Sequence, residues 1–273
     1  MKRQCDMEQV MKAVINGISL AYDDVGSGQP VILVHGFPLC RKMWRPQFNV
    51  LPDAGFRLIA PDLRGFGESE APDGPYTIEL FADDVVALLD HLEIDRAVIG
   101  GMSMGGYVVF NLIDRYPERL SGACLLTTRA HADDNAGKAK RLQLAQEVIK
   151  FGPQAIAGPF EHILFAEESL KERSRLVSEV CRWMTETDSR GLSGGLLAMR
   201  ERKDYLPLLE TFSLPALAIG AENDRAAPPD KTREIAAGIP GCRLCIIPRA
   251  GHMANLENPG AYNSCLLEFL RSI

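Results

Sequence analysis

Hydrophobic and polar positions change rhythm several times along the chain, and each change marks an element. Residues 12–25 alternate, with Val14, Ile15, Ile18, Leu20 and Tyr22 placed around Asn16-Gly17; this predicts a β-hairpin closed by a favoured turn dipeptide. Gly26 to Pro30 ends it. Val31-Ile32-Leu33-Val34 and Phe56-Arg57-Leu58-Ile59-Ala60 are short apolar runs of the kind buried on both faces in a parallel sheet. Apolar residues at 78, 81, 85, 88, 89 and 92 recur at helical spacing, so 78–92 reads as an amphipathic helix. Thr77 is its N-cap, with Glu79, Asp83 and Asp84 favourable towards its start. A strand over 96–101, a helix over 104–115 closed by Pro117, and a strand Gly122–Leu126 follow.

The pattern then changes. From Arg129 to about Leu208 there are no short apolar runs, only charged helical stretches (138–150, 166–187, 192–202) broken at Gly152-Pro153 and Gly158-Pro159. The earlier rhythm resumes with a strand at 215–219, a helix near 230–238, a strand at 242–247 and a final helix from 257. Strands alternating with helices predict an α/β architecture, a mainly parallel sheet with helices on both faces. Residues 1–128 and 209–273 then form one core, and 129–208 an inserted all-helical segment. The chain shows no internal repeats.

Composition narrows the class. The 273 residues are 46% apolar and 24% charged, ordinary values for a soluble globular protein able to bury a large core. A net charge of −6, with no lysine/arginine cluster, argues against nucleic-acid or anionic-membrane partners. The N-terminus has no apolar core of a signal peptide, and no run reaches the length of a membrane span. Met11 offers an alternative start, with residues 1–10 a loose tail. Seven cysteines, an odd number scattered through predicted elements, suggest reduced thiols and a cytoplasmic setting. Cys242-Arg243-Leu244-Cys245 has redox spacing, but it falls in a predicted core or edge strand rather than at a helix start. No zinc or cofactor motif is present.

The chemistry concentrates at strand ends. Val98-Ile99-Gly100-Gly101-Met102-Ser103-Met104-Gly105-Gly106 is Gly-x-Ser-x-Gly between a strand and a helix, the context in which a serine becomes a nucleophile. Side chains at Gly101 and Gly105 would collide with neighbouring strands, and Ser103 would stand at the positive end of the helix. Downstream, strand 215–219 runs into Gly220-Ala221-Glu222-Asn223-Asp224, and strand 242–247 into Ala250-Gly251-His252. Ser103, Asp224 and His252 thus follow the order serine, acid, histidine, each at the carboxyl end of a parallel strand. His252 is the expected general base and Asp224 the acid that orients it, with Glu222 as the rival acid.

These pieces, together with His35-Gly36-Phe37-Pro38 and Asp62-Leu63-Arg64-Gly65-Phe66-Gly67-Glu68-Ser69, resemble the α/β-hydrolase superfamily from about residue 12 to the end. The segment Leu125 to Ala130 and the helix after it resemble 3-oxoadipate enol-lactonases and the small carboxylesterases and perhydrolases near them. The resemblance implies an eight-stranded sheet, a helical cap over 129–208, and an oxyanion hole from the backbone N–H groups of Phe37 and Met104. It makes His35, Asp62 and Arg64 loop-fixing residues. Serine at the nucleophile position sets the chain apart from haloalkane dehalogenases and epoxide hydrolases of this fold, which use aspartate there. The expected reaction is cofactor-free hydrolysis of a small-molecule ester or lactone by a monomer or homodimer. Perhydrolysis and low-turnover signal reception are the alternatives.

For the pocket, Met102, Met104, Phe37 and Leu126 are expected to surround the nucleophile. Phe160, Ile163, Leu164, Phe165, Trp183 and Met184 are candidates for its roof. Gly191, Gly194 and Gly195 either enlarge the pocket or permit close packing. Arg129 could hold a substrate carboxylate such as that of an enol-lactone; an ion pair with Asp133 or Asp134 is the preferred reading.

Overall fold

The computed structural model describes residues 10–273. The reading of the first residues as a loose tail therefore falls, for 1–9, outside the described residues. Among these described residues eight strands form one sheet: β1 (Met11–Ile15), β2 (Ile18–Gly26), β3 (Gln29–Val34), β4 (Phe56–Pro61), β5 (Ala97–Met102), β6 (Leu120–Leu126), β7 (Ala216–Ala221) and β8 (Arg243–Ile247). Their spatial order is β1-β2-β4-β3-β5-β6-β7-β8. The β1–β2 and β2–β4 pairs are antiparallel and every other pair is parallel. The hairpin turns at Asn16 and Gly17, both with positive φ (45° and 80°), as a two-residue turn of the favoured hand requires.

Among the described residues, eleven α-helices accompany the sheet: α1 (Arg45–Phe48), α2 (Ile78–His91), α3 (Met104–Arg115), α4 (Asn135–Phe151), α5 (Gln154–Leu164), α6 (Glu167–Glu172), α7 (Ser174–Glu186), α8 (Ser189–Arg200), α9 (Pro229–Gly238), α10 (Ala254–Glu257) and α11 (Pro259–Leu270). Strand residues alternate between two cores, as the pleat demands. Ile32, Val34, Ile99, Ala123, Leu125 and Ala218 pack towards α2, α3 and α9. Val31, Leu33, Val98, Cys124, Leu126 and Leu217 pack towards α11. Each fully buried Leu or Ile contributes about 1.5–3 kcal/mol. None of the described helices is long and apolar enough to cross a membrane.

The all-helical segment contains α4–α8, with two departures from the expected breaks. Gly158-Pro159 does not interrupt α5, which carries Pro159 inside it. Proline there forfeits one backbone hydrogen bond, and burial of Ile156, Ala157 and Leu164 offsets the loss. The stretch 166–187 instead divides at Arg173, whose φ of −121° and ψ of 45° end α6 before α7 begins. Thr77 caps α2 as expected, accepting from the Leu80 N–H at 3.0 Å. Asp84, however, does not serve the helix start. It is fully buried and holds Arg64 through two hydrogen bonds of 2.6 and 2.7 Å, while Asn16 donates to it at 3.0 Å.

The cysteines require a correction. Cys245 of β8 and Cys265 of α11 form a disulfide, so these two are not reduced thiols. Cys40, Cys124, Cys181 and Cys242 are free. The Cys242-x-x-Cys245 spacing is not a redox pair, because alternation along the strand end sends Cys242 to one core and Cys245 to the other. The partner of Cys245 lies 20 residues away across a helix, a pairing that spacing alone does not reveal.

Candidate active site

Ser103 occupies the one-residue corner between β5 and α3, with φ 53° and ψ −110°. A non-glycine residue held there costs about 1–3 kcal/mol and persists only where its surroundings over-determine it. Here they do. The Ser103 N–H donates to the Leu126 carbonyl at 3.0 Å, and its carbonyl accepts from the Gly106 N–H at 2.9 Å and the Thr128 hydroxyl at 2.8 Å. The glycines make room for the corner. A Cβ at Gly105 would strike the Val34 carbonyl of β3, as anticipated. One at Gly101 would strike the Gly105 carbonyl, so it protects the turn itself rather than a neighbouring strand.

The β7 and β8 ends bring the other two groups together. The buried Asp224 accepts the N–H groups of Ala226 and Ala227 on Oδ1, each at 2.8 Å. Its Oδ2 accepts from Nδ1 of His252 at 2.8 Å. That bond leaves Nε2 of His252 as the basic nitrogen. Glu222 points elsewhere and accepts the Arg249 N–H at 2.9 Å. Ser103 and His252 both line a cavity of about 330 Å³.

The loop after β3 is fixed from below. His35 is fully buried; Nδ1 donates to the Gly36 carbonyl at 2.9 Å and Nε2 accepts the Leu63 N–H at 3.0 Å. Burial lowers its pKa, consistent with a neutral ring in this network. Asp62 accepts the Arg41 N–H at 2.7 Å and the Glu68 N–H at 2.8 Å and pairs with the Arg41 guanidinium. The Phe37 N–H has no backbone acceptor among the described residues. The Met104 N–H opens α3 and so has no intrahelical acceptor.

Of the residues expected around the nucleophile, Phe37 and Arg129 line the cavity, as do Phe160, Ile163 and Leu164 of the helical segment. Met102, Met104, Leu126 and Trp183 do not, and Met104 is fully buried in the core on the α2 and α3 face. The pleat turns Met102 and Leu126 into the core beneath the sheet, where Met102 packs against Gly36, and Trp183 lies under the Arg45 guanidinium, 5.5 Å from its ring centre. Phe165 and Met184 belong to that same core. Gly191, Gly194 and Gly195 serve close packing against Gly65, Tyr76 and Phe66 rather than pocket volume. Arg129 makes no ion pair with Asp133 or Asp134; it donates to the Ala226 carbonyl. Asp133 is taken by Arg141 and Arg202, and Asp134 caps α4 through the Gly137 N–H.

Two supports escaped the sequence reading. Thr127, at φ 39°, donates its hydroxyl to the His252 carbonyl at 3.3 Å. The buried Glu257 bridges two segments, accepting the Gly251 N–H at 2.8 Å and the Ala166 N–H at 3.0 Å. Burial raises its pKa against the pull of these bonds. The position of the threonines at a strand's carboxyl end was the available signal for the first. Glu257 had none beyond its nearness to His252.

An eight-stranded, mainly parallel sheet that delivers a serine, an acid and a histidine from three strand ends defines an α/β hydrolase. The family model of the alpha/beta hydrolase fold matches residues 29–259, and the chain belongs to that family. It is similar to a thermophilic esterase from Thermogutta terrifontis (37% identity, TM-score 0.93, covering 97% of this chain and 98% of that one). It is also similar to the enol-lactonase from Burkholderia xenovorans LB400 (30%, 0.89, 96% and 100%). A bromoperoxidase from Bacillus anthracis is a third such structure (26%, 0.86, 96% and 100%).

Proposed function

We propose that this α/β hydrolase cleaves a small-to-medium carboxylic ester or lactone through an acyl-enzyme on Ser103. His252 Nε2 takes the Ser103 proton as Oγ bonds the carbonyl carbon, then returns it to the departing alkoxide as the ester C–O bond breaks. Water repeats the sequence, releasing the acid and restoring the serine. Asp224 holds the imidazole in its Nδ1–H form and stabilises the imidazolium. The N–H groups of Phe37 and Met104 receive the developing oxyanion, a contribution of about 10²–10³ in rate per donor in comparable enzymes. The observation that carries this reading is the buried 2.8 Å Asp224–His252 bond behind a cavity that also holds the strained Ser103.

The test is fluorophosphonate labelling read by mass spectrometry, beside turnover of p-nitrophenyl esters and a lactone panel. The expected result is a single adduct on Ser103 and many turnovers. No adduct sinks the proposal, and an adduct without turnover favours a low-turnover receptor. Similarity to a bromoperoxidase favours perhydrolysis as a second reading, in which peroxide replaces water in deacylation. Peracid formation from acetate and peroxide tests it.

A further inference from the structure

The cavity over Ser103 is lined by charges that do not balance. Arg129 after β6, Lys140 and Arg141 of α4 and Arg225 of the Asp224 loop all line it, and among the described residues Asp133 is the only acid in the lining. Arg225 is matched by Glu167 at 2.8 Å. Asp133 is shared between Arg141 and Arg202, the latter at 2.7 Å and stacked 4.4 Å from the ring centre of Tyr107 in the cavity wall. One carboxylate between two guanidiniums leaves one positive charge over. The same two bonds hold the Asp133 carboxyl down at about 2, so protonation does not disturb this count near neutrality. Arg129 donates only to a neutral carbonyl and keeps further N–H donors. Neither Arg129 nor Lys140 has a carboxylate at ion-pair distance among the described residues.

Two positive charges without a carboxylate partner, Arg129 and Lys140, thus face one cavity of a chain whose net charge is −6, and the surplus of the Arg141–Asp133–Arg202 group lies in and behind its wall. Apolar walls from Leu144, Phe160, Leu196 and Met199 keep the local dielectric low, which focuses such a field on whatever enters. We infer that the natural ester or lactone carries its own anionic group, with Arg129 and Lys140 as its counter-charges. This rests on the serine-hydrolase reading and narrows its substrate class. A guanidinium with spare donors suits a carboxylate in particular, which it can bind with two hydrogen bonds.

Two matched ester pairs separate acyl-side from alcohol-side charge: p-nitrophenyl hemiglutarate against p-nitrophenyl valerate, and 4-acetoxybenzoate against 4-acetoxybenzamide. The expected result is a kcat/KM about 10- to 100-fold higher for the anionic member of at least one pair at low salt. That preference shrinks in about 0.5 M salt, where the Debye length falls to a few ångströms. Lys140→Glu and Arg129→Gln should each cut the ratio by roughly tenfold. Because the ratio is taken on one variant at a time, a general loss of activity cancels. Equal specificity within both pairs, or a preference that survives both substitutions, overturns the inference. If no ester is turned over, the hydrolase reading fails, and calorimetry decides the subsite separately. Adipate binding without adipamide binding, weakened by Lys140→Glu, supports it; equal behaviour of the two ligands removes it.

Discussion

Asp224 has both carboxylate oxygens committed inside the protein, whereas Glu222, two residues earlier, turns to the Arg249 N–H. Asp224→Asn should therefore lower kcat by about 10⁴, because the amide favours the wrong histidine tautomer, and Glu222→Gln should leave it within a few-fold. Steady-state kinetics on one ester decides; the reverse ranking would move the acid to Glu222. Asp133 carries a pH consequence. Its folded pKa, lowered to about 2 from an ordinary 3.8, lies below the unfolded value. The stability it contributes is thus complete above about pH 4 and lost as pH falls towards 2. Urea titrations between pH 5 and 2 should show that loss in the wild type and not in Asp133→Asn. Ser103, Asp224 and His252 were legible in the sequence because each follows an apolar run that can only be a buried strand. Arg129 was not, because its alternatives depended on where Asp133 and Asp134 point. The helix cap at Asp134 and the paired guanidiniums at Asp133 had already claimed both.

The corner between β5 and α3 tolerates no added carbon. Gly105→Ala would drive a Cβ into the Val34 carbonyl, so expression should fall or the melting point drop by several degrees, with labelling of Ser103 impaired in whatever folds. Thr128→Val removes one hydrogen bond to the Ser103 carbonyl and should cost about 1 kcal/mol in stability by urea titration. The parallel strands and α2, α3 and α9 were legible because a sheet covered on both faces imposes short continuous apolar runs on its strands and helical periodicity on the helices that cover it. The helical segment was less so. Its continuity through Pro159 follows from burial of Ile156, Ala157 and Leu164, which overrides the local preference of Gly158-Pro159, and its break falls at the exposed Arg173, whose guanidinium donates to the Leu256 and Glu257 carbonyls.

At the scale of the whole molecule, two ties hold the segment that carries His252. The Cys245–Cys265 disulfide closes a loop of 20 residues that contains His252. On chain-entropy grounds it contributes roughly 3 kcal/mol, so reduction should lower the melting temperature, and Cys265→Ser should reproduce the shift without reductant. An unchanged melting point in both would show that the bond is thermodynamically silent. The second tie is Glu257, which with the Met253 N–H (3.0 Å to the Leu164 carbonyl) fastens the loop bearing His252 to the helices above it. The nitrogen that takes the Ser103 proton in the proposed mechanism is thereby indexed to the roof of the cavity as well as to the sheet. Heating should accordingly silence the protein before it melts: once α5 and α6 loosen, turnover stops while the circular-dichroism signal of the sheet persists. That interval of folded but inactive protein should widen in Glu257→Gln, whose amide offers a single acceptor oxygen to two facing N–H groups.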